Sequence, residues 1–186
     1  LRTPRVRSIF QSAMQDTSPL ATGRLEAIWI KPVRRQAMRS AQSAVLVANR
    51  GIVGNANQNG RRQVTIISRE RWAAVARMLG QPLDPALRRA NLLVSGIDLE
   101  NTRGQLLRVG TVLIEIWGET RPCRTMDEQH QGLQEALRPQ WGGGVFGVIL
   151  EGGTIHVDDA VQLLPAPPTA PFQNWKRSRT TGQSSS

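Results

Sequence analysis

The only cysteine in the chain, Cys123, stands in a short segment of unusual composition, Gly118-Glu119-Thr120-Arg121-Pro122-Cys123-Arg124-Thr125-Met126-Asp127. Arg121 and Arg124 bracket it, and a helix expected from Asp127 adds positive potential; both favour thiolate over thiol. A thiolate is a soft ligand, suited to a heavy transition metal or to carrying sulfane sulfur. Proline fixes the backbone just before the cysteine. The alternative is a small buried hydrophobe, the commonest fate of a free cysteine, but such a residue gains nothing from two flanking arginines.

A second segment, Arg88-Arg89-Ala90-Asn91-Leu92-Leu93-Val94-Ser95-Gly96-Ile97-Asp98, offers a different chemistry. Arg89 and Asn91 lie two apart at the entrance to an apolar strand, which puts them on one side of the pleat. Such a pair presents a guanidinium fork to a phosphate and an amide to a heterocycle. The competing reading is a surface arginine and a turn asparagine.

The elements that must position these residues are mostly strands. Apolar or β-branched runs occur at Leu25–Ile30, Ala44–Ala48, Gln63–Ile67, Asn91–Val94, Leu106–Val109, Val112–Trp117, Val145–Leu150, Ile155–Val157 and Val161–Leu164. Gly110-Thr111 and Asp158-Asp159 are turn signals, and residues 51–60 form a loop rich in Gly and Asn. Val112, Ile114 and Ile116 share one strand face. Ser68 can cap a helix whose Trp72, Val75, Ala76 and Leu79 fall at helical spacing, with Gly80 as its stop. A second helix is expected over residues 127–138, acidic at its start and ending on Arg138. Short strands with two or three short helices give a mostly β (α+β) class and a twisted, barrel-like domain. Alternating βα units are absent, which argues against a doubly wound sheet.

Composition bounds the rest. The 186 residues suffice for one domain with its own core, expected over residues 23–164. Residues 1–22 read as a loosely ordered lead-in. Residues 165–186, proline-rich, then basic around Trp175-Lys176-Arg177, then Ser-rich, read as a tail. The net charge is +10, about half of it in those flanks, and all of the 24 basic residues except Lys31 and Lys176 are arginine. A basic body suits an anionic ligand as well as a nucleic acid. With no Tyr and three Phe, the chain lacks the stacking side chains of single-strand binders. One cysteine excludes an intrachain disulfide, and with only His130 and His156 beside it, a Cys/His zinc site as well. There is no Walker loop or dinucleotide fingerprint, and Gly142-Gly143-Gly144 lacks the Lys-Ser/Thr that grips a nucleotide phosphate. No apolar run is long enough to span a membrane or resembles a signal peptide, so the cytoplasm is the expected compartment. The chain opens on Leu1 rather than Met, which leaves room for sequence upstream.

The segments RRANLLVSGIDL, ETRPCRTMDE and VFGVILEGGTIHVDD, in that order, resemble the MOSC domain, from about Arg24 to Leu164. That domain is the C-terminal module of molybdenum cofactor sulfurases, and it also occurs alone in bacteria and in mitochondrial amidoxime-reducing enzymes. The resemblance implies a β-barrel-like fold that binds the pyranopterin molybdenum cofactor. Cys123 falls on the family cysteine, which ligates molybdenum or holds a persulfide. Arg89 and Asn91 fall on an Arg-x-Asn pair at the cofactor, Arg62 lies in a stretch similar to one near it, and Arg121 and Arg124 would add to the cationic grip. Many bacterial relatives have Gly-Asp where this chain has Gly54-Asn55, which questions any acidic role there. A sulfurase also needs a pyridoxal-phosphate domain, for which there is no room. The expected activity is therefore oxygen removal from N-hydroxylated compounds, with Cys123 on the metal and an external electron donor. The alternatives are a carrier delivering cofactor or Cys123 persulfide sulfur, from a cysteine desulfurase to a molybdoenzyme, and a basic nucleic-acid-binding barrel.

Overall fold

The computed structural model describes residues 22–34 and 36–166; the expected lead-in and tail lie outside these residues apart from Thr22, Pro165 and Ala166. Within them, eleven strands run as β1 (Thr22–Ile30), β2 (Arg39–Ala41), β3 (Ser43–Val47), β4 (Gly51–Ile52), β5 (Val64–Ser68), β6 (Leu92–Ser95), β7 (Leu106–Val109), β8 (Val112–Glu119), β9 (Val145–Glu151), β10 (Gly153–His156) and β11 (Ala160–Leu164). Three short α-helices join them: α1 (Arg69–Met78), α2 (Thr125–Gln129) and α3 (Leu133–Ala136).

Seven strands close into a barrel in the order β1-β11-β7-β8-β9-β5-β6 and back to β1. The nine-residue β1 makes closure possible by working along both edges. Its first half pairs with β11 (Thr22↔Gln162), its second with β2 (Ile28↔Ala41), and its other edge with β6. A register shift between Leu25 and Ala27 bends the strand where it changes partner, as bulges do at barrel corners. At the same corner a Cβ on Gly23 would lie 2.0 Å from the Ser95 carbonyl oxygen, so only glycine lets β1 and β6 approach. A three-stranded sheet, β10-β3-β4, leans on the barrel.

All barrel neighbours are antiparallel except β5 and β6, which run parallel (Ile67↔Leu93) and are linked through α1. This is one βα crossover in an otherwise antiparallel fold, so the mostly β, barrel-like expectation holds. The interior is filled by alternate residues: Val112, Ile114 and Ile116 of β8 meet Leu107 and Val109 of β7, Ile66 of β5 and Leu92 of β6. Each such buried aliphatic contributes about 1.5–3 kcal/mol. A second apolar cluster lies outside the barrel, where Trp72 and Val75 of α1 pack with Ile67, Leu93, Met126, Leu133 and Leu137. Ser68 caps α1 by accepting from the Arg71 N–H, and Gly80 follows it in the left-handed region.

Two local expectations change. The single helix over 127–138 is two short ones, because His130 turns extended and Gly132 is left-handed (φ 82°). The strands on either side of Asp158-Asp159 belong to different sheets: β10 pairs with β3, and β11 with β1 and β7. Among the described residues no helix is long and apolar enough to cross a membrane.

Candidate functional site

Four connections meet at one end of β5, β6 and β8. They are the loop after β1, the segment 53–63 before β5, the turn before β6, and the loop from β8 to α2. Between them is a cavity of about 150 Å3. Among the described residues its lining includes Lys31, Asn57, Arg62, Thr65, Arg88, Arg89, Asn91, Thr120, Cys123 and Met126, with four cations and no carboxylate.

Cys123 is exposed and unpaired on the β8–α2 loop. Its carbonyl accepts from the Met126 N–H at 2.8 Å, and Met126, 3% exposed, anchors the loop in the outer apolar cluster. The residue is therefore carried on an ordered turn, exposed, and lines the cavity.

Arg88 is the innermost charge. It ends a short 3-10 turn, Pro85–Arg88, and is buried. Nε donates to the Gly143 carbonyl at 2.9 Å, and Nη2 to the Thr120 carbonyl at 3.0 Å, while Nη1 lies 3.8 Å from Met126 Sδ. The guanidinium thus ties the loop before β9 to the end of β8 and still has N–H groups for a ligand. Burial pulls its pKa down to about 10, with a charge on Cys123 opposing and Arg62 adding to that shift. It stays cationic at neutral pH and, among the described residues, no carboxylate pairs with it.

The neighbouring cations repeat the pattern. Lys31 titrates below its ordinary value because burial disfavours its charge, and because Arg89, Arg34 and Arg62 repel it. Arg62 stacks over Phe146, its guanidinium carbon 5.0 Å from the ring centroid. Arg89 donates to the Gln36 carbonyl at 2.7 Å. Among the described residues no carboxylate lines the cavity, so its wall offers these cations no counter-charge.

Arg89 and Asn91 both reach the cavity, but not by sharing a pleat. Arg89 is left-handed (φ 60°), and Asn91 precedes β6. The Asn91 side chain is also spent within the protein. Its Oδ1 accepts from the Thr65 N–H and hydroxyl, and its Nδ2 donates to the Trp29 carbonyl and to Asn55 Oδ1. It braces β1, β5 and the 55-loop instead of offering a free amide. Asn55 Oδ1 also accepts from the Lys31 N–H at 2.9 Å, so the amide oxygen does here what an aspartate oxygen would do.

Arg121 and Arg124 are not brought to the cavity. Arg121 is exposed, sits 3.6 Å from Glu119 and borders a separate recess with Pro122 and Arg138. Arg124 borders another with Asp127, Glu128 and Gln134. The helix after Cys123 has only five residues, a small source of dipole potential. Sequence reading missed Arg88, Lys31 and Thr120. The Arg88-Arg89 doublet was visible, but the left-handed turn that sends Arg88 inward was not. Among the described residues no cluster of three His, Cys, Asp or Glu is arranged to hold a bare metal ion.

The barrel is similar to solved structures at identities that speak to fold alone. The YuaD protein of Bacillus subtilis aligns at TM-score 0.68 and 20% identity, over 78% of this chain and 97% of that one. YiiM of Escherichia coli aligns at 0.59 and 17%, over 79% and 72%. YiiM of Geobacillus stearothermophilus aligns at 0.61 and 17%, over 80% and 78%. No curated protein sequence matches the chain. The family model of the MOSC domain, however, matches residues 40–162, a span that takes in Arg62, Arg88, Asn91, Thr120 and Cys123, and the chain belongs to that family.

Proposed function

We propose that the chain binds the molybdenum cofactor in the Cys123 cavity and removes oxygen from N-hydroxylated compounds, drawing electrons from an external donor. The family is associated with molybdenum-cofactor binding. The observation that carries the reading is a single thiol, Cys123, beside Lys31, Arg62, Arg88 and Arg89, with no carboxylate in the wall among the described residues. One thiolate cannot hold a metal ion alone, so a metal here must arrive with its own ligands and an anionic group, as this cofactor does. The donor set and the missing counter-charge both fit it.

When bound, the cofactor supplies two-electron redox chemistry and an oxygen acceptor. The chain's residues do the rest. Cys123 would provide one metal ligand, Arg88 and Arg62 would hold anionic oxygen, and Asn91 and Asn55 brace the wall through their mutual hydrogen bond and the bond to Trp29. The net conversion is R–NHOH plus two electrons and two protons to R–NH2 plus water. The exposed position of Cys123 also suits a second reading, a carrier that passes cofactor or persulfide sulfur onward.

Expression in a cofactor-competent host, followed by metal analysis and reduction of a benzamidoxime with reduced viologen, tests the proposal. Wild type should carry about one molybdenum and turn over; Cys123→Ser should lose turnover. Molybdenum-loaded protein without reductase activity would favour the carrier. Protein that takes up no molybdenum would overturn the reductase and the cofactor carrier, and would leave only the persulfide carrier.

A further inference from the structure

Thr120, a residue of the cavity wall, carries a hydroxyl that no described residue engages. Thr120 is 5% exposed, and its Oγ1 has no hydrogen-bond partner among the described residues. Its backbone is locked. The N–H donates to the Gly144 carbonyl at 2.7 Å, and the carbonyl accepts from Arg88 Nη2 at 3.0 Å. A Cβ on Gly143 would lie 2.1 Å from that carbonyl oxygen, so the loop before β9 presses directly on it. A buried hydroxyl without a partner is costly, and folded proteins rarely retain one without a use.

What the hydroxyl awaits follows from its neighbours. Thr120 shares the wall with Arg88, Arg62 and Lys31 and with no carboxylate, so a cation is repelled and an oxygen-rich anion is drawn in. The arginine fork supplies charge. A threonine hydroxyl adds a neutral donor at a fixed place, which distinguishes an acceptor oxygen there from an apolar or donor group. The volume of about 150 Å3 is below the ~300–1,000 Å3 of pockets that enclose a whole drug-sized ligand, so only one end of a larger molecule enters.

We infer that Thr120 is a ligand-binding residue, whose hydroxyl donates to a terminal oxygen of an oxyanion held by Arg88 in the Cys123 cavity. The inference rests on the cavity being the ligand site, as proposed above, but not on which ligand fills it. A phosphate group and an oxygen on molybdenum are two sources of the same acceptor chemistry.

The test uses the full chain with two substitutions, Thr120→Val, which keeps the shape without the hydroxyl, and Thr120→Ser, which keeps the hydroxyl. Thermal melting and calorimetric binding are measured with inorganic phosphate and, separately, with molybdate, at low salt. T120V should melt at or above the wild-type temperature, because an unsatisfied hydroxyl has gone. It should bind at least one oxyanion about tenfold or more weakly, as expected for loss of a hydrogen bond to a charged group. T120S should bind within about threefold of wild type. A loss confined to molybdate assigns the contact to the metal end of a ligand, and one confined to phosphate assigns it to the phosphate end. Wild-type affinity in T120V, a lowered melting temperature of T120V, or no binding of either oxyanion to wild type would each overturn the inference. Thr120-dependent oxyanion binding in protein that takes up no molybdenum cofactor would sink the cofactor reading alone. Normal cofactor uptake without any Thr120 effect would sink this inference alone.

Discussion

Replacing Arg88 by lysine keeps a positive charge in the cavity and removes the fork. In the wild type Nε and Nη2 reach two different loops, the Gly143 carbonyl at 2.9 Å and the Thr120 carbonyl at 3.0 Å. A single ammonium on a flexible stem can serve one of these, not both. The other buried carbonyl is left without its donor, at about 1–3 kcal/mol, and the lost bond is of the charge-assisted kind. The burial penalty that Arg88 already carries is not relieved, because an ammonium is more strongly hydrated than a guanidinium. The net expectation is a destabilisation of about 2 kcal/mol, measured by urea unfolding, with a larger proportional fall in oxyanion affinity. Arg89→Gly is the control. Arg89 is half-buried, makes one hydrogen bond to Gln36 and sits at φ 60°, a conformation glycine adopts freely. Its loss should change stability by less than about 1 kcal/mol in either direction while weakening anion binding. An Arg88→Lys protein with unchanged stability would refute the claim that this guanidinium joins the two loops.

Three further outcomes follow from the same geometry. Asn91→Ala removes side-chain bonds to Trp29, Asn55 and Thr65 and should cost about 2–4 kcal/mol in chemical denaturation; a cost below about 0.5 kcal/mol would mean that the bracing is idle. Lys31 titrates below its ordinary value, so the ligand-free fold binds its proton less readily than the unfolded chain does. Its contribution to stability therefore rises with pH between the lowered pKa and 10.5. Anion affinity should fall over that same alkaline range, and Lys31→Met should flatten the fall in a calorimetric pH series. Arg121→Gln and Arg124→Gln, whose side chains border other recesses, should leave oxyanion affinity within about threefold of wild type; a tenfold loss in either would place that arginine at the ligand.

The strands were legible because their residues alternate over short range: Val112, Ile114 and Ile116 announce β8 and its inward face without reference to anything else. The Ser68 cap and the Trp72–Val75 stripe announce α1 in the same way. Cys123 was legible through its neighbours in the chain, although the arginines that made it conspicuous turn elsewhere. What could not be read depends on distant partners. That Arg88 is buried while Arg89 stays half-exposed goes with one left-handed residue, Arg89 itself. The break at Gly132 is decided by how α2 and α3 pack on Trp72 and Val75. Asn91 looks free in sequence because Trp29, Asn55 and Thr65, which consume its amide, lie far away along the chain.

The meeting of β1 with β11 governs how the molecule can be made. Thr22 pairs with Gln162, so the first and last strands of the domain must find each other before the barrel has no edges. Closing so long a loop is slow, and the contact forms only after every intervening strand has been synthesised. Until then β1 and β7 each present an unpaired row of backbone donors and acceptors, which invites pairing between nascent chains. Shortening the chain within Ala160–Leu164 would make that temporary state permanent, and the product should accumulate as aggregate even though every residue of the Cys123 cavity is still present.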